Sequence, residues 1–145
     1  MARPATCPRP PEGIRKVGCV PSKILIVDDS SMMRRALRRW IEQNPNWKVC
    51  AEAPNGAVAI EKVKELLPDL VILDLSMPVM NGLEAARHIK EIAPTTPMVM
   101  FTMYVNDALT KNAQAAGIQC VVSKTDSVVN QLITSISSLL HEPAA

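Results

Sequence analysis

Five times between Lys23 and Leu140 a short apolar run gives way to a segment of helical periodicity. The apolar runs are residues 23–28 (KILIVD), 47–53 (WKVCAEA), 69–75 (DLVILDL), 97–102 (PMVMFT) and 118–123 (IQCVVS). The intervening segments 30–43, 55–67, 81–92 and 105–117, and the final one at 126–140, space their apolar residues as an amphipathic helix does. Pro45, Pro68 and Pro94 stop the first three helices and Gly117 closes the fourth. Asp126 is suited to cap the fifth. Runs with so few polar residues must be covered on both faces, which is the condition of strands in a parallel sheet whose crossovers are helices. Right-handed crossovers then predict a three-layer α/β sandwich of five βα units.

A chain of 145 residues, with 48% hydrophobic and 21% charged residues, holds one such domain and its core. Residues 1–22 carry five of the 12 prolines and show no periodicity, so they read as a flexible Pro-rich leader. The folded domain is expected over 23–141, with 142–145 as a tail. The leader also contains Arg3, Arg9, Arg15, Lys16 and Glu12. Taking these from totals of 16 basic and 14 acidic residues leaves 12 against 13. The domain is therefore nearly neutral, and charge gives no case for nucleic-acid binding through it. No apolar run is long enough to cross a bilayer, and the first residues lack the apolar segment of a signal peptide, so a cytoplasmic protein with no membrane contact is expected. Cys7, Cys19, Cys50 and Cys120 form no close pair and are expected to be free or buried thiols.

Open parallel sheets bind ligands beyond the carboxyl ends of their strands, where strand order reverses. The first strand ends in Asp28 and Asp29, the third in Asp74, the fourth in Thr102, and Lys124 follows the fifth. The second ends in Ala53, with nothing reactive. Each residue has a plain structural use: an aspartate or Ser30 can cap the first helix, Asp74 can sit in a turn, Lys124 can be a solvated surface lysine. Together they fall at one edge of the expected sheet. Three packed carboxylates are costly unless a cation offsets their repulsion, and Mg²⁺ suits carboxylate, water and phosphate oxygens. A carboxylate is also a competent nucleophile toward a phosphoryl group, with Lys124 and Thr102 placed to hold its oxygens.

The pieces "ILIVDDS", "DLVILDLSMPVMNGLEAAR", "VMFT" and "VVSK" resemble the receiver domain of two-component response regulators, over 118 of the 145 residues from Lys23 to Leu140. The resemblance implies a flavodoxin-like fold with parallel strand order 2-1-3-4-5. It implies that Asp74 is phosphorylated by a partner histidine kinase or phosphotransfer protein. It further implies that Asp29, Asp74 and the backbone carbonyl of Ser76 bind Mg²⁺ directly, that Asp28 acts through metal-bound water, and that Thr102 and Lys124 engage the phosphoryl group. Two positions depart from the common pattern. Val121 stands where many receivers carry an aromatic residue, and Thr125 stands where a cis proline is common. Such a chain is not an enzyme in the ordinary sense. It would take a phosphoryl group from a donor with Mg²⁺ and lose it slowly, the more slowly because Met103 shields the site from water.

The first helix carries Arg34, Arg35, Arg38 and Arg39 on an arc away from Met33, Leu37, Trp40 and Ile41. This arc is either a solvated face or a dock for an acidic partner. The family resemblance implies a second surface, on the fourth helix, fifth strand and fifth helix, where a downstream protein reads the phosphorylated state; a second copy of the chain is a further candidate partner. Three other readings compete. One is a receiver-fold binding module that works without phosphate. Another is the receiver part of a DNA-binding regulator, since "LSMPVMNGLEAARHIK" looks most like receivers joined to helix-turn-helix domains and none is present in this sequence. The third, a metal-dependent phosphatase, expects an Asp-x-Asp arrangement after the first strand rather than adjacent Asp28 and Asp29.

Overall fold

The protein is described here from a computed structural model, covering residues 21–124 and 128–140. Five strands alternate with five helices: β1 Ser22–Val27, α1 Ser31–Ile41, β2 Trp47–Ala53, α2 Gly56–Leu66, β3 Leu70–Leu73, α3 Gly82–Ile92, β4 Met98–Thr102, α4 Asp107–Ala115, β5 Cys120–Ser123 and α5 Val128–Leu139. All strand pairs are parallel, in the order β2-β1-β3-β4-β5. The expected fold is thus the observed one. β1 begins at Ser22, one residue inside the expected leader, because the Ser22 amide donates to the carbonyl of Asn46. Asp126 and Thr125 lie outside the described residues, as do Cys7 and Cys19; Cys50 and Cys120 are free thiols.

The near-absence of polar residues in the strands has the physical cause expected of it. Side chains alternate across the sheet, and each face has its own core. Leu25, Val27, Val71, Leu73, Met98 and Met100 pack under Ala59 and Val63 of α2, Ala85, Ala86 and Ile89 of α3, and Leu109 and Ala113 of α4. Ile24, Ile26, Leu70, Ile72, Val99 and Phe101 pack under Leu37 and Ile41 of α1 and Leu132 and Ile136 of α5. The first four helices start on side-chain caps. Ser30, Asn55, Asn81 and Asn106 each accept a hydrogen bond from the amide three residues on.

One irregularity changes which residues face which layer. The pairing of β1 with β2 slips between Ile24 and Leu25, which oppose Val49 and Ala51 and leave Cys50 as an extra residue. A bulge of one residue reverses the phase of a strand beyond it. Trp47 and Val49 accordingly belong to the core under α1 and α5, whereas Ala53 belongs to the other core. Glu52 is thereby turned toward α1. It accepts from Arg34 Nε at 3.0 Å and Arg38 Nε at 2.8 Å. The arginine arc of α1 is therefore not uniformly solvated: Arg34 and Arg38 are tied to the sheet, and Arg35 and Arg39 remain exposed.

Burial by itself pushes the Glu52 carboxyl up, but the hydrogen bonds and charges of Arg38 and Arg34 prevail and hold it below the ordinary value of 4.5. A carboxylate with a depressed folded pKa stabilises the fold above its unfolded pKa and loses that contribution as pH falls through the folded value. Glu52→Gln should therefore cost about 1 kcal/mol at neutral pH. In urea titrations across pH, this difference should shrink below the ordinary pKa of 4.5 and be absent once both states are protonated. A pH-independent loss would show that the charge on Glu52 is not what holds α1.

Candidate functional site

Strand order reverses at β1, which lies between β2 and β3, so the loops after β1 and β3 leave the sheet on either side of a crevice. Asp28 and Asp29 enter this crevice from β1 and Asp74 from β3. Carboxylate oxygens of the three lie within 4.8 Å of one another. Asp28 and Asp74 are buried and Asp29 is exposed. Thr102, also buried, ends β4, the next strand along. Its carbonyl accepts the Lys124 amide at 2.7 Å, which brings the lysine over from β5. Lys124 Nζ then lies 2.7 Å from Asp28 Oδ2 and 3.3 Å from Asp74 Oδ2. Four of the five residues picked out at strand ends thus share one cluster, with Thr102 beside it. Ser76 lies two residues beyond Asp74 in the exposed part of the β3–α3 loop.

The two adjacent acids are not needed as caps, because Ser30 Oγ caps α1. Asp28 is instead bound at every polar atom. Its amide donates to Ala53, its carbonyl accepts Arg34 Nη1 at 2.6 Å, Oδ1 accepts the Ser30 amide and Oδ2 pairs with Lys124. Asp29 is exposed and has no hydrogen bond or ion pair among the described residues. Among the described residues, Asp74 Oδ1 accepts only the next amide, Leu75 N, at 2.8 Å. Burial pushes the Asp74 carboxyl above the ordinary 3.8; Lys124 works against this and the charge of Asp28 adds to it.

The β3–α3 loop holds Asp74 by close backbone approach. Gly82 N donates to the Leu75 carbonyl at 2.8 Å, and a Cβ on Gly82 would overlap the carbonyl oxygen of Asp74. At the loop's crest Val79 has φ 70°, a left-handed conformation that strains a β-branched residue, and it is 80% exposed. Met32, Met103, Tyr104 and Val105 are exposed as well, on the elements and loops that leave this edge of the sheet. Val121 packs into the core under α2–α4. Two contributors escape a reading of the strand ends. Glu52 precedes Ala53, and Arg34 sits among four similar arginines. The trace in the sequence was a lone acid in the otherwise apolar end of β2, whose direction depends on the bulge.

The donors are all oxygen and carry more negative charge than Lys124 balances, so they fit a hard divalent cation. A doubly wound parallel sheet of strand order 2-1-3-4-5 places the chain in the flavodoxin-like class of folds, with an acidic crevice at its switch point. The family profile described as response regulator receiver domain matches residues 24–136, and the chain belongs to that family. Among curated relatives, it is 40% identical over 116 residues to a protein-glutamate methylesterase/protein-glutamine glutaminase of Carboxydothermus hydrogenoformans, covering 79% of this chain and 33% of that protein. It is 36% identical over 108 residues to the response regulator protein VraR of Staphylococcus saprophyticus, covering 74% of this chain and 52% of that one. The chain therefore spans between a third and about half of the length of these relatives. Among solved structures, a two-component response regulator of the LuxR family from Aurantimonas superposes with TM-score 0.80 at 33% identity, covering 83% of this chain and 86% of that chain.

An acid whose folded pKa is raised destabilises the fold when ionised, and this cost appears as pH rises through the folded value. In EDTA, Asp74→Asn should match the wild type below the ordinary carboxyl value of 3.8. It should melt higher at neutral pH by roughly 2–6 °C, the equivalent of about 1 kcal/mol in a domain of this size. Adding Mg²⁺ should raise the melting temperature of the wild type and close the gap.

Proposed function

We propose that this chain is a phosphoacceptor receiver in which Asp74 accepts a phosphoryl group from a histidine kinase or phosphotransfer protein. The observation that carries this reading is the cluster itself: a buried strand-end carboxylate, two further carboxylates within 4.8 Å, and a lysine bridging two of them. In the transfer, an Asp74 carboxylate oxygen forms a bond to phosphorus as the bond to the donor imidazole breaks, and the freed imidazole takes a proton from solvent. Asp29, Asp74 and the Ser76 carbonyl would hold Mg²⁺, with Asp28 acting through metal-bound water. That ion supplies charge neutralisation between the incoming phosphoryl oxygens and the acids. Lys124, already against Asp74, is placed to pair with the phosphoryl group once Asp74 carries it. Thr102, at the end of the neighbouring strand, supplies the hydroxyl that turns toward it.

Exposed Arg35 and Arg39 of α1 suit an acidic partner, as a kinase dock requires. The phosphorylated state would be read on α4, β5 and α5, by a downstream protein or a second copy of the chain. Val121 brings no polar tip to that surface, so the switch would run without an inward-turning aromatic hydroxyl. The described residues include no helix long and apolar enough to cross a membrane, and the proposed chemistry belongs in the cytoplasm, where kinase and Mg²⁺ meet. A second reading, the receiver part of a longer regulator, draws on the fact that both curated relatives extend well beyond the matched segment. The name of one of them gives an output, a methylesterase and glutaminase; the name of the other gives only a response regulator.

Incubation with acetyl phosphate and Mg²⁺ should give a single phosphoryl adduct by intact mass, absent with EDTA and absent in Asp74→Asn. No adduct on the wild type would favour a binding module that works without phosphate. Met103 follows Thr102 and is half exposed; in this reading its side chain would shield the phosphoryl group from attacking water. Met103→Gly should shorten the lifetime of the adduct several-fold after the donor is removed. An unchanged lifetime would assign its persistence to another group.

A further inference from the structure

The bulge in β2, the turn of Glu52 toward α1 and the contacts of Arg34 form a continuous chain that ends on the acidic loop. Arg34 Nε is 3.0 Å from Glu52 Oε1, and Arg34 Nη1 donates to the Asp28 carbonyl at 2.6 Å. Only 18% of the Arg34 side chain is exposed. The guanidinium is planar and donates in fixed directions, so fixing one edge on Glu52 aims the other. Asp28 is the residue at which β1 turns out of the sheet, and its carbonyl belongs to the peptide that leads into Asp29. A donor on that carbonyl fixes the orientation of the peptide and hence the direction in which Asp29 leaves it. Asp29 itself has no partner among the described residues to hold it. Its position relative to Asp74 is set by its backbone.

We infer that Arg34, anchored by Glu52, is a positioning residue for the cation-binding loop. Its guanidinium fixes the Asp28–Asp29 peptide so that Asp29 faces Asp74 before a cation arrives. Arg38 supplies an internal control. It makes the other short ion pair to Glu52, at 2.8 Å, and its remaining hydrogen bonds run to Glu42 and to the Val49 carbonyl, away from the acidic loop. If Arg34 served only to fasten α1 to β2, loss of either arginine would have the same consequences. The inference rests on the reading of the acidic cluster as a cation site.

The test uses the full chain and Mg²⁺ alone, with affinity measured by isothermal titration calorimetry and stability by thermal unfolding. Arg34→Ala should weaken Mg²⁺ binding about tenfold, as loss of groups that orient metal ligands commonly does. Arg38→Ala should change it less than twofold while lowering the melting temperature comparably. Arg34→Lys, which keeps a donor within reach of the carbonyl, should recover part of the affinity and guards against a variant that does not fold. Equal affinity losses in Arg34→Ala and Arg38→Ala would overturn the positioning role and leave a fastening one. Wild-type affinity in Arg34→Ala would also overturn it, while leaving the cation site intact. A wild-type chain with no Mg²⁺ affinity would instead remove the cation reading, and this inference with it.

Discussion

Repulsion between carboxylates at the carboxyl edge of the sheet is the constraint around which this molecule is arranged. Two like charges within 4.8 Å oppose each other by roughly 3–4 kcal/mol at an effective dielectric constant of about 20. Asp28 and Asp74 meet this with almost no solvent to screen them. Lys124 stands against both, but three carboxylates and one ammonium still leave two negative charges. The deficit matches a divalent cation in size and sign. The raised pKa of Asp74 expresses the cost of its burial first, with the charge of Asp28 adding to it and Lys124 opposing it. A site in this condition gains from a bound cation, and through it from an anion that the acids would otherwise repel.

The rest of the structure serves to keep the acids close despite that repulsion. The parallel sheet fixes β1 and β3 as neighbours, so their ends cannot separate without breaking the core. Asp28 is held at four atoms, Asp74 is held through its own loop, and Gly82 lets that loop close. Asp29 is left open. Around this centre lie exposed apolar side chains, Met32, Val79, Met103 and Tyr104 among them.

Much of this was legible in the chain. β3 reads LVIL, with all four residues buried, and no arrangement but a covered central strand accounts for it. Adjacent acids at the end of one such strand and a third at the end of another could be placed at one edge before any geometry was known. Composition could not decide whether Asp28 or Ser30 caps α1, because both residue types are good caps. Nor could it separate Arg34 and Arg38 from Arg35 and Arg39, since all four lie on the same arc of the helix.

By itself, then, the sequence determined the alternation of elements, the class of fold and the acidic edge, because hydrophobic period and strand-end chemistry are local properties of the chain. Tertiary structure alone decided where Glu52 points, which arginines it binds, and which acid stays free. The first two outcomes turn on a single-residue slip between β1 and β2. A slip of that kind is settled by the pairing of two strands and leaves no periodic mark in either one.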